Sequence, residues 1–306
     1  MIERVCVVGA GTIGSLFAGH LAQVAEVSVL TRRPEHAEAL NVRGLRVTGR
    51  SALDARVRAS TDPAELPDPD LAIVSCKGTD LDSVATRLEG RFEGALAMPV
   101  QNGLGAEGVV RRHGSWPLIS AITFMSGTKR SDTEVEYVLD TPTWLGPYGD
   151  TSFGRVEEVA ELIRSSGLVA DAYPDLRPAQ WSKLIFNATV NGVAALTGLP
   201  HDSHFSALDG PADLGHLVRA LMDEGKAAAE ASGIALHDDP WEMNVLATKR
   251  GSAHYPSMLE DVGAGRATEV ESINGALVRE AERAGVEVPF QRAILALVRG
   301  KEASYT

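Results

Sequence analysis

Apolar and polar positions along this chain change period near its middle. In the first half, short apolar runs alternate with stretches of helical spacing. Val5 to Val8 is an unbroken apolar run, the stretch LFAGHLAQVA after it has helical spacing, and Glu26-Val27-Ser28-Val29-Leu30-Thr31 reads as a second strand. PEHAEALNVRG predicts a short helix stopped at Gly44, and LRVTG with ARVRAS predicts an edge hairpin. Leu71 to Cys76 has the character of a parallel strand buried on both faces. A helix from Thr79 to Leu88 follows, then strands in ALAMPVQNG and PLISAITFM. EVEYVLDTPTWLGPYG predicts antiparallel strands ending at Gly146-Pro147, and VEEVAELIRSSG an amphipathic helix. Such alternation predicts a doubly wound α/β domain. From Trp181 onward the period is helical, in stretches such as LVRALMDEGKAAAEASG and EVESINGALVREAERAG. Gly233 and Gly285 stand at C-cap positions, and Pro289 follows the last of these stretches. The predicted organisation is an α/β domain over 1–172 and an all-α domain over 173–306, with no internal repeat.

The junction of the first strand and first helix carries Gly9-Ala10-Gly11-Thr12-Ile13-Gly14. Strand, tight glycine turn and helix start stand in the order a dinucleotide site requires. Gly9 allows the turn, Gly11 lets the backbone approach a pyrophosphate, and Gly14 lets the helix lie close on its strand. The second strand runs into Arg32-Arg33 rather than into the carboxylate that binds a ribose hydroxyl in NAD sites. A guanidinium pairs with a 2′-phosphate through charge-assisted bonds, so the expected cofactor is NADP(H) rather than NAD(H).

Charge bears on the choice of partners. The 306 residues carry 29 basic and 41 acidic side chains, a net charge of −12, which disfavours nucleic acid and anionic membranes as partners. An acidic chain that binds an anionic cofactor must concentrate positive charge locally. Cys6 and Cys76 read as small core residues and not as a disulfide framework. A strand begins within a few residues of the amino terminus, leaving no room for a signal peptide, and no apolar run reaches the ~18 residues of a membrane span. A cytoplasmic address is expected. The eight histidines show no ligand-like clustering, so no metal is expected.

Within the helical half, WSKLIFNATVNG places Lys183, Asn187 and Asn191 at i, i+4 and i+8, on one helix face. Its flanks are apolar nearly all round, so the helix is predicted to be buried, with its polar stripe lining a cavity. In the first half, Lys77 and Gln101-Asn102-Gly103 close two strands at their carboxyl ends, where ligands sit in open α/β sheets. Ser257, Glu269 and Asn274 taken alone read as helix boundaries, with Glu269 a surface carboxylate.

Together these segments resemble the ketopantoate reductase (2-dehydropantoate 2-reductase) family nearly end to end. The resemblance rests on GAGTIG, LTRR, Lys77, QNGLG, LGPYG, WSKLIFNATVN and PSMLEDVGAGRATEVESINGAL. It implies a Rossmann-type domain followed by a helical one, and reduction of the 2-keto group of ketopantoate to D-pantoate by NADPH. By motif, Lys183 would be the general acid and Glu269 would hold the product hydroxyl. Asn102, Asn187, Asn191, Ser257 and Asn274 would contact substrate. Residues 9–14, Arg32, Lys77, Asn102 and Glu269 would contact the cofactor.

Two segments depart from the family pattern: the acidic Thr133-Glu134-Val135-Glu136, and the glycines of Val262-Gly263-Ala264-Gly265, which should loosen the helix between Ser257 and Glu269. Another branched or bulky 2-keto acid is the rival substrate, and a non-catalytic NADP(H) sensor the rival of another class. The proton-donor set argues against the sensor. The cleft is expected between the domains, and the helical domain has ample apolar surface for a homodimer.

Overall fold

A computed structural model describes residues 2–209, 212–249 and 255–305. The chain divides into two compact units: the first takes in Met1–Gln101 and Ala106–Leu176, the second Asn102–Gly105 and Arg177–Thr306. Asn102–Gly105 therefore belongs with the second unit, although the segments that flank it in sequence belong with the first.

The first unit contains, in order, β1 (Arg4–Val8), α1 (Thr12–Leu21), β2 (Glu26–Leu30), α2 (Pro34–Arg43), β3 (Leu45–Gly49), β4 (Leu53–Ala55), β5 (Arg58–Ser60) and β6 (Leu71–Val74). Then come α3 (Leu81–Arg87), β7 (Leu96–Pro99), α4 (Ala106–His113), β8 (Leu118–Thr123), β9 (Ser126–Ser131), β10 (Glu134–Leu139), β11 (Thr143–Tyr148), α5 (Phe153–Ser165) and β12 (Ala170–Ala172). The main sheet has the order β12-β11-β8-β7-β6-β1-β2-β5 and is parallel except where β11 meets β8. Its central strands read as unbroken apolar runs because both faces are covered. Val5, Val7, Leu71, Ile73, Leu96 and Met98 lie in one core with the apolar face of α1.

The strand order reverses between β1 and β6, the switch point at whose carboxyl ends open α/β sheets bind ligands. The glycine turn follows β1, and Lys77 follows β6. Cys6 lies fully buried at the sheet centre, and burial pushes its thiol up to about 12, leaving it unreactive.

The predicted edge hairpin of LRVTG with ARVRAS does not form: β3 pairs antiparallel with β4, which shares only Ala55 with ARVRAS, and the rest of that segment supplies β5, which joins the main sheet parallel to β2. β3 and β4 belong to a separate four-stranded sheet, β4-β3-β10-β9. The strands of EVEYVLDTPTWLGPYG are antiparallel to different partners: β10 to β9 in the small sheet, β11 to β8 in the main one. β9 and β12 were not legible. The first is the half-exposed hexapeptide SGTKRS, without an apolar side chain, and the second has three residues.

The second unit holds α6 (Arg177–Thr197), α7 (Asp213–Ala231), α8 (Pro240–Thr248), α9 (Ser257–Gly263), α10 (Asn274–Arg283) and α11 (Pro289–Glu302). α6 is central, packing against α7, α8, α9, α10 and α11. Its Trp181, Leu184, Ile185, Ala188, Val190 and Val193 are all buried. The stretch EVESINGALVREAERAG is not one helix. α10 begins only at Asn274, and residues 269–273 form a turn. The turn is held by contacts a continuing helix would forbid. The Ser272 carbonyl accepts from the Leu104 amide at 3.0 Å, and the Glu271 carbonyl accepts from Arg279 at 2.9 Å. Among the described residues no helix is long and apolar enough to cross a membrane.

Candidate active site

In the second unit the site is built on α6 and the 269–273 turn. Lys183 is only 5% exposed. Burial pulls its ammonium down to about 8, and the nearby Glu269 carboxylate acts in the opposite sense. Glu269 Oε2 accepts a hydrogen bond from Asn102 Nδ2 at 3.1 Å, across 167 residues of sequence. Two of the residues singled out in the sequence, Asn102 and Glu269, are thus joined directly, and the Glu269 charge acts on the buried Lys183 ammonium.

Asn102 reaches Glu269 because the chain after it lies flat on the turn. Leu104 donates to the Ser272 carbonyl, and Gly103 passes so close that a Cβ there would stand 1.9 Å from the same oxygen. Its φ of +90° is also one that L side chains rarely adopt. On the far side of the turn, the Glu271 carboxylate takes two bonds from Arg299, at 2.6 and 2.8 Å. The Glu269 carbonyl accepts from the Ser272 and Ile273 amides, so the turn closes on itself.

Asn187 and Asn191 follow Lys183 at one-turn intervals on α6, the first half-buried and the second buried. Ser257 opens α9, which packs on α6, and its side chain is exposed. Asn274 opens α10. It is fully buried in the helical core, donating to the Ala188 carbonyl at 2.7 Å and to Gln291 at 3.2 Å, so the structure gives it a role in packing α6 against α10 and α11. The sequence signal it shared with Glu269 was proximity in the chain.

In the first unit the glycine turn leads straight into α1. Gly9, at φ +103°, is pressed on the loop after β6, where a Cβ would stand 2.8 Å from the Cys76 nitrogen. Ser75 Oγ donates to the Gly9 carbonyl at 2.7 Å, and Gln101 Nε2 ties the same loop down through the Val74 and Cys76 carbonyls, at 3.0 and 2.8 Å. Ser75 carries no motif, and although Gln101 opens QNGLG, nothing in that pattern marks its side chain as a support for the loop after β6. Where a Gly11 Cβ would stand there is open space, in front of a helix amino terminus that no side chain caps. That cradle suits a pyrophosphate, whose oxygens would meet the amides and the positive end of the helix dipole.

Arg32, Lys77 and the glycine turn all lie at carboxyl ends of strands of the main sheet. Arg32 is highly exposed, 3.6 Å from Asp80, an exposed pair that costs little to give up. Arg33 stands at the residue before the first turn of α2, without a side-chain capping bond, and is paired with Asp132. Among the described residues no cluster of His, Cys, Asp and Glu could hold a metal ion.

Comparison with known proteins shows what the chain as a whole is similar to. Residues 5–150 match the profile of the family described as ketopantoate reductase PanE/ApbA, and residues 175–302 match that of its C-terminal domain. The chain is 30% identical over 303 residues to the 2-dehydropantoate 2-reductase of Archaeoglobus fulgidus, covering 99% of each chain. It superposes with a TM-score of 0.88 on a PanE/ApbA family ketopantoate reductase from Ralstonia eutropha, at 26% identity and 99% coverage of each chain. A D-mandelate dehydrogenase solved with NADH and anilino(oxo)acetate has the same fold, with a TM-score of 0.87 at 22% identity, and covers 99% of each chain.

Proposed function

The chain belongs to the ketopantoate reductase family, and from that premise we propose that it reduces ketopantoate to D-pantoate with NADPH. The observation that supports the mechanism is a buried Lys183 ammonium on α6 under the charge of Glu269, a carboxylate itself held by Asn102. NADPH held by the first unit's glycine turn would supply the hydride for C2 of the keto acid.

Negative charge then develops on the carbonyl oxygen. The Lys183 ammonium stabilises that charge and gives up its proton, leaving a hydroxyl and a neutral amine that solvent reprotonates. With its pKa near 8, Lys183 is protonated at neutral pH yet a stronger acid than an exposed lysine, as a donor must be. Glu269 holds the ammonium in place and accepts the product hydroxyl's hydrogen bond. Asn187, Asn191 and Ser257 orient the substrate. Residues 9–14, Arg32 and Lys77 hold the cofactor, with Arg32 on the 2′-phosphate.

The test is loss of nicotinamide absorbance with purified protein on ketopantoate and a panel of other 2-keto acids, an aryl one among them. Preference for ketopantoate supports the reading. Preference for another keto acid keeps the mechanism and moves the substrate. Tight NADPH binding without turnover on any of them favours the sensor.

Two further outcomes are expected. Because the donor must be protonated, kcat falls as pH rises through about 8. Glu269→Gln removes the charge that favours the ammonium, so this limb moves to lower pH and kcat at neutral pH drops. A pH–rate profile with an unmoved limb would remove Glu269 from the control of Lys183. Arg32→Ala weakens NADPH by about tenfold, roughly one charge-assisted bond, and leaves NADH nearly unchanged. Equal losses for the two cofactors, read by fluorescence titration, would mean that Arg32 does not read the 2′-phosphate.

A further inference from the structure

Net positive charge gathers beside the glycine turn on a strand that the sequence did not reveal. β9 lies across the first turns of α1: a Cβ on Gly127 would stand 3.1 Å from Thr12 Cγ2 and 3.4 Å from Leu16 Cδ1. Two residues further on, the half-buried Lys129 donates from Nζ to the Ser15 hydroxyl at 2.6 Å, and Ser15 Oγ donates in turn to the Ala10 carbonyl at 3.4 Å. The ammonium is thus two hydrogen bonds from the turn itself.

Asp132, just past the end of β9, pairs with Arg33 at the start of α2, and its carbonyl accepts from His36 Nε2 at 2.8 Å. The neighbouring Arg130 and Glu136 pair with each other. Set against the Asp132 carboxylate are therefore the Lys129 ammonium, the Arg33 guanidinium and the amino ends of α1 and α2, each equivalent to roughly half a positive charge.

Half-burying an ammonium in such a place is unfavourable, and a neutral side chain would satisfy the Ser15 hydroxyl as well. The arrangement makes sense once an anion joins it. We infer that Lys129 is a further cofactor-binding residue, whose ammonium neutralises a phosphoryl group of the dinucleotide beside the glycine turn. Ser15 takes one of its three donors and serves to aim the rest. The inference rests on the NADPH reading above and adds to it a cation that no motif marks.

The experiment is titration of NADPH and NADH into wild type, Lys129→Met and Lys129→Arg, with a thermal melt of each. The methionine variant is expected to bind NADPH at least about tenfold more weakly, and the arginine variant, which keeps the charge, to stay within about threefold. A loss shared equally by NADH and NADPH assigns the pyrophosphate to Lys129, and a loss confined to NADPH assigns the 2′-phosphate. Unchanged NADPH affinity in folded Lys129→Met overturns the inference and leaves the proposed function standing. A wild type that binds neither dinucleotide overturns both.

Should the methionine variant not fold, the pH dependence of wild type and Lys129→Arg decides. Burial pulls Lys129 down to about 8, with Asp132 opposing and Arg33 assisting, while burial keeps His36 neutral above its lowered pKa. Wild-type affinity for NADPH is then expected to fall as pH rises through about 8, and that of Lys129→Arg to stay level. Superimposable profiles would overturn the assignment.

Discussion

Lys183→Ala is expected to lower kcat by on the order of a thousandfold or more while leaving the NADPH dissociation constant within about twofold of wild type. The split follows from where the groups lie. Lys183 stands on α6 in the second unit, and the glycine turn, Arg32 and Lys77 stand in the first. Removing the ammonium deletes both the proton and the charge that meets the developing oxyanion, two effects that act only as the hydride arrives. Folding should survive. The substitution takes a charged group out of a buried position, and Asn102 continues to satisfy Glu269. Single-turnover oxidation of bound NADPH, read beside a fluorescence titration, separates chemistry from binding. Turnover within about tenfold of wild type would remove Lys183 from the mechanism, and a parallel loss of NADPH affinity would recast it as a structural residue.

Gly103→Ala is expected to be almost as damaging, although residue 103 touches neither substrate nor cofactor in the proposed mechanism. A methyl group there would stand 1.9 Å from the Ser272 carbonyl oxygen, a backbone atom that cannot rotate aside, on a residue whose φ of +90° already disfavours a side chain. The strain, at least about 2–3 kcal/mol, is relieved only by lifting the loop from the 269–273 turn. That breaks the Leu104–Ser272 bond and draws Asn102 away from Glu269. The expected result is a lowered melting temperature together with a kcat loss of at least about a hundredfold, comparable to losing a positioned catalytic group. Gly105→Ala, where a Cβ would meet nothing within 4 Å, is the companion variant, sharing a positive φ of +94° without the clash. Equal effects from the two would mean that φ alone matters and that the close approach to Ser272 does not.

The parts of the fold that were legible are those whose signal is local. The parallel strands of the main sheet announce themselves as apolar runs because both faces are buried, and α6 because its apolar residues nearly encircle it. The stripe of Lys183, Asn187 and Asn191 was legible for the same reason: three polar residues at helical spacing in such a helix must face something. Glu269 was not. Its position on a turn depends on Gly103, Leu104, Arg279 and Arg299, none adjacent to it in sequence, and by its own neighbours it reads as a surface carboxylate. The family resemblance, not the residue pattern, pointed to it. Asn274 lay beside the same motif, and what its neighbours in sequence did not reveal is that its Nδ2 donates inside the helical core, to the Ala188 carbonyl and to Gln291. The small sheet was only partly legible: β3 was read as a strand but given the wrong partner, and β9 is polar, half exposed and recognisable only from its pairing with β10.

The excursion of Asn102–Gly105 limits how this gene can be taken apart. A cut after Leu176 looks like the natural place to separate two modules, yet the downstream piece would leave behind the carboxamide that steadies its own Glu269. Chimeras joining the upstream part of one relative to the downstream part of another would place these four residues against a turn they did not evolve beside. Exchange between relatives will therefore preserve turnover only when the four-residue insert travels with the helices it serves, so that the unit of inheritance for the active site is discontinuous in the DNA.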